Sequence, residues 1–315
     1  MPELWQQLVT EWPVLTVILD ALCIIVPFAC LTAYSGIFYL SSTAAILAVT
    51  RKRASYRKCA RQLAFLGLII GWALLIGTRV WLYYTAPARE AGSFEAYMLE
   101  ISWLLFSIGT LLSSIYFFLW NALKNMPVLH VTLGMIAAVQ NCIAFVCIVF
   151  TVRISAAISL PDAKKFALPD IFPNAWYAPV WTSTAYAVPL LFSMAGAFGV
   201  CWLALRRNKD NFGRDHYNAM IPWCAAWAQN AWAILLFLLI CSTSLKIWRE
   251  IQNGNFDEQG AIYDASLLLL WIIPEILWLL ARKSRMPLRN RWLLYLALPF
   301  AITFILPWFM DITLI

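Results

Sequence analysis

The sequence predicts an all-α polytopic membrane protein: eight transmembrane helices folded as four hairpins, grouped into two four-helix bundles, with an interfacial helix at the N-terminus. Three observations carry this. Of the 315 residues, 63% are hydrophobic and only 12% charged, with a mean hydropathy of +0.74, whereas soluble domains are near 25% charged. The apolar runs are long and do not alternate. A span takes about 20 apolar residues, and only helices or closed barrels satisfy their backbone groups in lipid, so helices are expected. Finally, four basic blocks each sit between two apolar runs: RKRASYRKCAR at 51–61, the stretch around Lys124 and His130, RRNKDNFGRD at 206–215, and RKSRMPLRNR at 282–291.

The elements follow in order. Residues 1–22 carry Leu4, Trp5, Leu8, Val9, Trp12, Leu15 and Ile18 at helical spacing, with Gln and Glu between them, the pattern of a helix lying in the outer interface. Glu3 and Glu11 stand where a cleavable signal would be basic, so none is expected. From Val14 to Thr50 the apolar character covers about 37 residues, or about 55 Å of helix. That is too long for one upright span, and Pro27 is expected to mark a turn into the first span at 24–50. Spans at 59–84, 98–123 and 128–152 complete a first bundle, 23–152. The connection 153–179, with LPDAKKFALPDIFPNAWYAP, reads as an ordered cap dividing the chain. Spans at 180–205, 219–243, 262–281 and 291–312 form a second bundle, 180–315.

Charge sets the orientation. Of the 23 Lys and Arg, 16 fall in the four basic blocks, while Glu90, Glu95, Asp162, Asp170, Glu250, Asp257, Glu258 and Asp264 lie in the alternate connections. Positive residues mark the cytoplasmic side, so the basic turns are expected inside and both termini outside an inner, cytoplasmic membrane. Orienting loops and anionic headgroups account for the net charge of +7, which leaves membrane lipid as a partner and requires no nucleic acid.

Metal and haem chemistry find little to work with. The eight cysteines are scattered without a CxxC or Cys/His grouping, which predicts packing residues and no metal site. The two histidines, His130 and His216, fall at span ends. Haem held between helices needs axial ligands at matched depth. The one such pairing available is His130 with Met126 or Met135, and a headgroup-level role for both histidines is preferred. No covalently bound cofactor is expected.

Charges inside the spans are costly and point to function. The deepest is Glu275, in LLLLWIIPEILWLLARK, beside Pro274, which frees a carbonyl one turn earlier. Such a carboxyl suits a proton relay. The structural alternative is that it is neutral or pairs with Arg282. Towards the outer side, Arg79 and Glu100 lie at similar depths on consecutive spans, where an ion pair is expected, with Glu95, Asp20 and Asp311 nearer the headgroups. Of the 17 Trp, Trp81, Trp176, Trp181, Trp248 and Trp308 fit interfacial belts, as do Tyr83, Tyr84 and Tyr177. Trp223, Trp227 and Trp232, with Gln229 and Asn230 among them, would suit a quinone or isoprenoid pocket. Simple helix packing competes with that reading.

Three segments carry a resemblance. FFLWNALKNMPVLHVTLGMIAAVQNCIAFVCIVFTVRI at 117–154 resembles the third-to-fourth-span hairpin of subunit I of cytochrome bd quinol oxidases. YRKCARQLAFLGLIIGWALLIGT at 56–78 is similar to the second span of that family, and GAFGVCWLALRRNKDNFGRDHYNAM at 196–220 to its fifth-to-sixth-span turn. Together they cover under a third of the chain. The histidines that ligate haem in the family would fall near Leu22 and Ser183, neither of which can replace them. The long quinol-binding loop after the sixth span shrinks to 244–261, and only Glu100 lands near an acidic residue of the family's third span. The resemblance therefore implies a haem-free relative that has lost oxygen chemistry.

The first functional expectation is an integral membrane subunit of a respiratory or electron-transfer complex. It would anchor redox partner subunits and contribute a quinone pocket without its own haem. A proton-coupled secondary transporter using Glu275, Arg79 and Glu100 is the alternative. An intramembrane lipid-modifying enzyme is the third, with His130, His216, Asp210 and Asp215 at the cytoplasmic ends and no motif joining them.

Overall fold

The computed structural model of the chain describes residues 13–85, 93–159, 179–210 and 212–313, and these are helical with short turns. The helices are α1 (Pro13–Thr50), α2 (Ala54–Thr85), α3 (Phe94–Phe118), α4 (Pro127–Ser159), α5 (Pro179–Asp210), α6 (Arg214–Gln252), α7 (Glu258–Lys283), a 3-10 turn (Pro287–Asn290), α8 (Arg291–Ile302) and α9 (Ile305–Thr313). Eight stretches are long and apolar enough to cross a membrane, the last running from Pro287 to Met310.

Local chemistry sets the ends. Pro127 and Pro179 open α4 and α5, where a missing N–H costs nothing. The Ser93 side chain accepts from Ala96 N at the start of α3, and Asp257 accepts from Gln259 N at the start of α7, as N-caps do.

Two expectations about helix continuity are corrected. Residues 13–22 are not a separate interfacial helix: α1 runs unbroken through Pro27 for 38 residues. It packs against α2, α4, α5 and α9, and such neighbours support a helix across the hydrogen bond that a proline removes. Residues 1–12 lie outside the described residues, as do 160–178 of the expected cap. Conversely, the last span is not one helix. It breaks at Thr303 and Phe304 between α8 and α9, because Pro307 has no N–H for the Thr303 carbonyl and its ring crowds that oxygen. The Thr303 hydroxyl turns back to the Phe300 carbonyl at 2.6 Å.

Sequential neighbours pack against one another within α1–α4 and within α5–α8, and α1 also meets α4 while α5 also meets α8. Across the chain's midpoint the principal contact is α1 on α5. At Gly36 a Cβ would lie 2.9 Å from both the Leu191 carbonyl carbon and the Ala195 methyl, so only glycine lets these two backbones approach so closely. The short α9 closes the assembly. Trp308 is buried, donates its indole N–H to Ser183 O at 2.9 Å and stacks on Phe145. Its expected place in an interfacial belt is thereby corrected, whereas Trp81, Tyr83, Tyr84 and Trp248 are exposed.

A polar seam lies within the first four helices. Tyr34 on α1 donates to Asn141 Oδ1 on α4 at 3.1 Å and meets Thr110 and Ser113 on α3 at 3.2 and 3.4 Å. Asn141 returns a bond to Ser113 Oγ at 3.1 Å. Every member is buried, and such bonds join helices where apolar burial exerts no drive.

Candidate functional site

Glu275 on α7 is a part-buried ionisable group within an apolar run of the second half of the chain. Pro274 deprives the Leu270 carbonyl of its helical donor, and the indole N–H of Trp232 on α6 donates to the neighbouring Trp271 carbonyl at 2.7 Å. Trp232 and Trp278 are fully buried and meet edge to face with ring centroids 5.7 Å apart. Trp271 and Trp232 both pack on Phe304, beside the α8–α9 break. This aromatic wedge fixes α6 against α7 and sets the height at which Glu275 faces Gln229.

Gln229 Nε2 donates to Glu275 Oε1 at 2.5 Å, and Gln229 Oε1 accepts from Arg282 Nη1 at 2.7 Å. The same guanidinium nitrogen donates to Asn230 Oδ1 at 2.9 Å. Arg282 therefore does not pair directly with Glu275, which corrects that sequence alternative. The two lie seven residues apart on one helix, about 10 Å along the axis, and the amide of Gln229 spans the gap. The other carboxylate oxygen, Oε2, is buried and has no hydrogen-bond partner among the described residues. An acceptor left unpaired in a buried site costs about 1–3 kcal/mol or more if charged, and such a group is equipped to take a proton or a donor from outside the chain.

The four proposed pocket residues do not face one neighbour. Gln229 and Asn230 turn to α7. Trp223 and Trp227 form ring contacts with Tyr56 on α2 and Phe192 on α5.

Arg79 and Glu100 meet as expected. Arg79 Nη1 lies 2.9 Å from both carboxylate oxygens of Glu100, and the guanidinium sits 4.8 Å from the Trp103 ring centroid. Both side chains are more than half exposed, and pairs of that kind contribute about 1 kcal/mol or less. Arg79→Gln and Glu100→Gln are each expected to shift unfolding free energy by no more than ~1 kcal/mol. The double variant should lose no more than either alone, since one interaction is removed in all three. A double-variant cycle in detergent, followed by denaturant unfolding, checks this.

Asp210 and His216, named in the sequence reading without a motif to join them, are joined in the structure by Gln62. Gln62 on α2 donates Nε2 to Asp210 Oδ2 at 2.7 Å and accepts at Oε1 from His216 Nε2 at 2.9 Å. Arg206 forks onto the same carboxylate, with Nε to Oδ2 at 3.0 Å and Nη2 to Oδ1. With its amide nitrogen turned to Asp210, Gln62 presents only its carbonyl oxygen to His216 and can only accept there. The imidazole proton is therefore on Nε2, and Nδ1 is left buried and unpartnered. His216 and His130 are both buried among the helices. His130 stacks on Tyr116 at 4.4 Å and donates Nε2–H to the Tyr116 carbonyl at 3.2 Å. No local signal marks Gln62, which follows directly on the basic run Arg57, Lys58 and Arg61 at the start of α2. Among the described residues, no three His, Cys, Asp or Glu side chains converge as metal ligands.

These observations define a chain whose described residues are helices and short turns, eight stretches of them long and apolar enough for a multi-pass membrane protein, with a half-buried carboxyl site between α6 and α7. Set against protein-family models, curated protein sequences and solved structures, the chain gives no significant match.

Proposed function

We propose that this chain is an integral membrane subunit of an electron-transfer complex that anchors redox partner subunits and holds a quinone or quinol headgroup beside Glu275. In this reading the eight spans form four hairpins and two four-helix bundles joined along α1 and α5. The basic turns lie in the cytoplasm and both termini outside. The chain is a haem-free relative of subunit I of cytochrome bd quinol oxidases.

The observation that carries the reading is the buried, unpartnered Oε2 of Glu275, set beside two side-chain amides and a guanidinium. A quinol must give up protons as it gives up electrons, and a carboxylate acceptor with hydrogen-bond donors alongside suits that head. Ile272 and Ile276 on α7 and Ile234 on α6 are exposed next to the cluster, an apolar flank on which an isoprenoid tail can lie. In the oxidising direction one proton passes to Glu275 and the other to solvent. The two electrons go to a redox centre on a partner subunit, since none is assigned to this chain.

Gentle extraction is expected to bring the chain out with subunits carrying iron–sulfur or cytochrome centres. A short-chain quinone should quench its tryptophan emission saturably, and Arg282→Leu should weaken that binding at least tenfold. A lone, colourless, stable species indifferent to quinone would overturn the proposal. A proton-coupled transporter would use the same carboxyl, and pH-driven flux in proteoliposomes without any partner subunit would favour it.

A further inference from the structure

At the end of the chain's first half that carries the basic turns, a cavity of about 380 Å³ opens between the α1–α2 turn, the α3–α4 turn and the first turns of α2 and α4. Lys52, Arg53, Arg57 and Lys124 line it, and buried His130 forms part of its wall. None of these four cations forms an ion pair with a carboxylate among the described residues. Four cations on two turns repel one another, and the repulsion is offset only by an anion between them or by solvent.

A further observation points to an anion. Ala54 and Pro127, the first residues of α2 and α4, both line the cavity, so two helix N-termini add their partial positive charge and free N–H groups. Lys52 follows directly on the end of α1 and holds the left-handed φ of +51° with which helices commonly stop, and it lines the cavity wall.

The remaining wall is apolar, with Ala48, Val49 and Leu123 continuing towards the spans. A free inorganic anion would have no use for this surface, whereas an acyl chain would lie along it. We propose that this cavity binds a phosphate-bearing anionic group, presented as the headgroup of an anionic phospholipid whose chains follow the Ala48 wall. Basic pockets between helices recognise such headgroups. The site is separate from the Glu275 cluster, which lies between α6 and α7, and does not depend on the quinone reading.

The test uses full-length protein in a neutral detergent, titrated with phosphatidylglycerol, with phosphatidylcholine and with inorganic phosphate, and bound species are counted by native mass spectrometry. Wild type is expected to hold one phosphatidylglycerol per chain at least tenfold more tightly than phosphatidylcholine. Lys52→Gln/Arg57→Gln should lose roughly 30-fold in affinity, at about fivefold per charge near a surface. Arg285→Gln/Arg289→Gln, on the α7–α8 turn, should bind as wild type. All four positions are exposed, so folding is expected to survive. Ala48→Trp, which fills the apolar wall and keeps every charge, distinguishes the sources. Loss of lipid with phosphate retained places a headgroup there. Phosphate binding that depends on Lys52 and Arg57, without lipid selectivity, assigns the site to a free phosphate group. Equal affinity in the Lys52/Arg57 variant and wild type, or equal losses in both paired variants, would overturn the site.

Discussion

Gly196→Val is expected to abolish recovery of folded protein. A Cβ at this position would lie 2.5 Å from the backbone nitrogen of Ala228 and 2.8 Å from the carbonyl oxygen of Cys224. Both atoms belong to the backbone of α6, so no side-chain rotation relieves the clash, and α5 and α6 must separate by roughly an ångström. Separation on that scale forfeits a quarter to a half of the dispersion attraction along the contact. Lipid restores none of it, because apolar side chains gain nothing by leaving hydrocarbon. The Gln62–Asp210–His216 bridge crosses the same pair of helices at their basic end and tolerates little shift. A loss of at least ~3 kcal/mol is a large share of the stability of a typical domain. Size-exclusion profiles in mild detergent should show aggregate in place of a single species. Gly77→Ala is the control: nothing lies within 4 Å of a Cβ there, and an exposed helical glycine replaced by alanine gains up to ~1 kcal/mol. If Gly196→Val ran and unfolded like wild type, the α5–α6 contact would not be the one described here.

The same contrast explains what was legible in the sequence. Hydropathy over 20 residues responds to the environment of a whole helix, so the spans could be read to within about five residues of their ends, except that α6 runs on past 243 to Gln252. Depth along a span is also a one-dimensional property, which is why Arg79 and Glu100 could be paired across a connection of unknown shape. Contacts between distant helices are not. Asp210 and His216 meet Gln62 from 148 and 154 positions away, and nothing local in any of the three segments announces it. Tyr34 and Asn141 escaped notice for the same reason. The prolines misled in both directions. Pro27 sits inside a helix held by its neighbours and breaks nothing, whereas Pro307 ends the helical ladder within an apolar run. Trp308 was read as interfacial because it lies near a span end, but the break created by Pro307 turns it into the interior. In the candidate site, Glu275 was visible as a charge within an apolar run. Its partner could not be seen, because the choice between Arg282 and Gln229 depends on how α6 is rotated against α7.

Glu275→Gln is the substitution expected to separate chemistry from architecture. The amide keeps the size of the carboxyl, and its oxygen can still accept from Gln229 Nε2, so the unfolding midpoint and quinone affinity should stay close to wild type. What it cannot do is accept a proton at the second position, the place occupied by the unpartnered Oε2. General-base catalysis of this kind contributes about 10²–10⁴ in rate. Quinol-driven reduction of the partner subunit in the intact complex should therefore fall by at least about 100-fold, with KM little altered. Glu275→Asp restores a carboxylate but draws it back by one methylene, so turnover should recover only in part. Gln229→Leu takes away the donor to Oε1 and uncouples Arg282 from the site while leaving the base in place. A rise in KM with smaller loss of kcat is expected there, the reverse of the Glu275→Gln pattern. Full turnover in Glu275→Gln would remove the carboxyl from the reaction. Loss of pH-driven flux in proteoliposomes lacking any redox subunit would instead assign the same group to transport, because a proton acceptor between α6 and α7 serves either process and only the co-substrate distinguishes them.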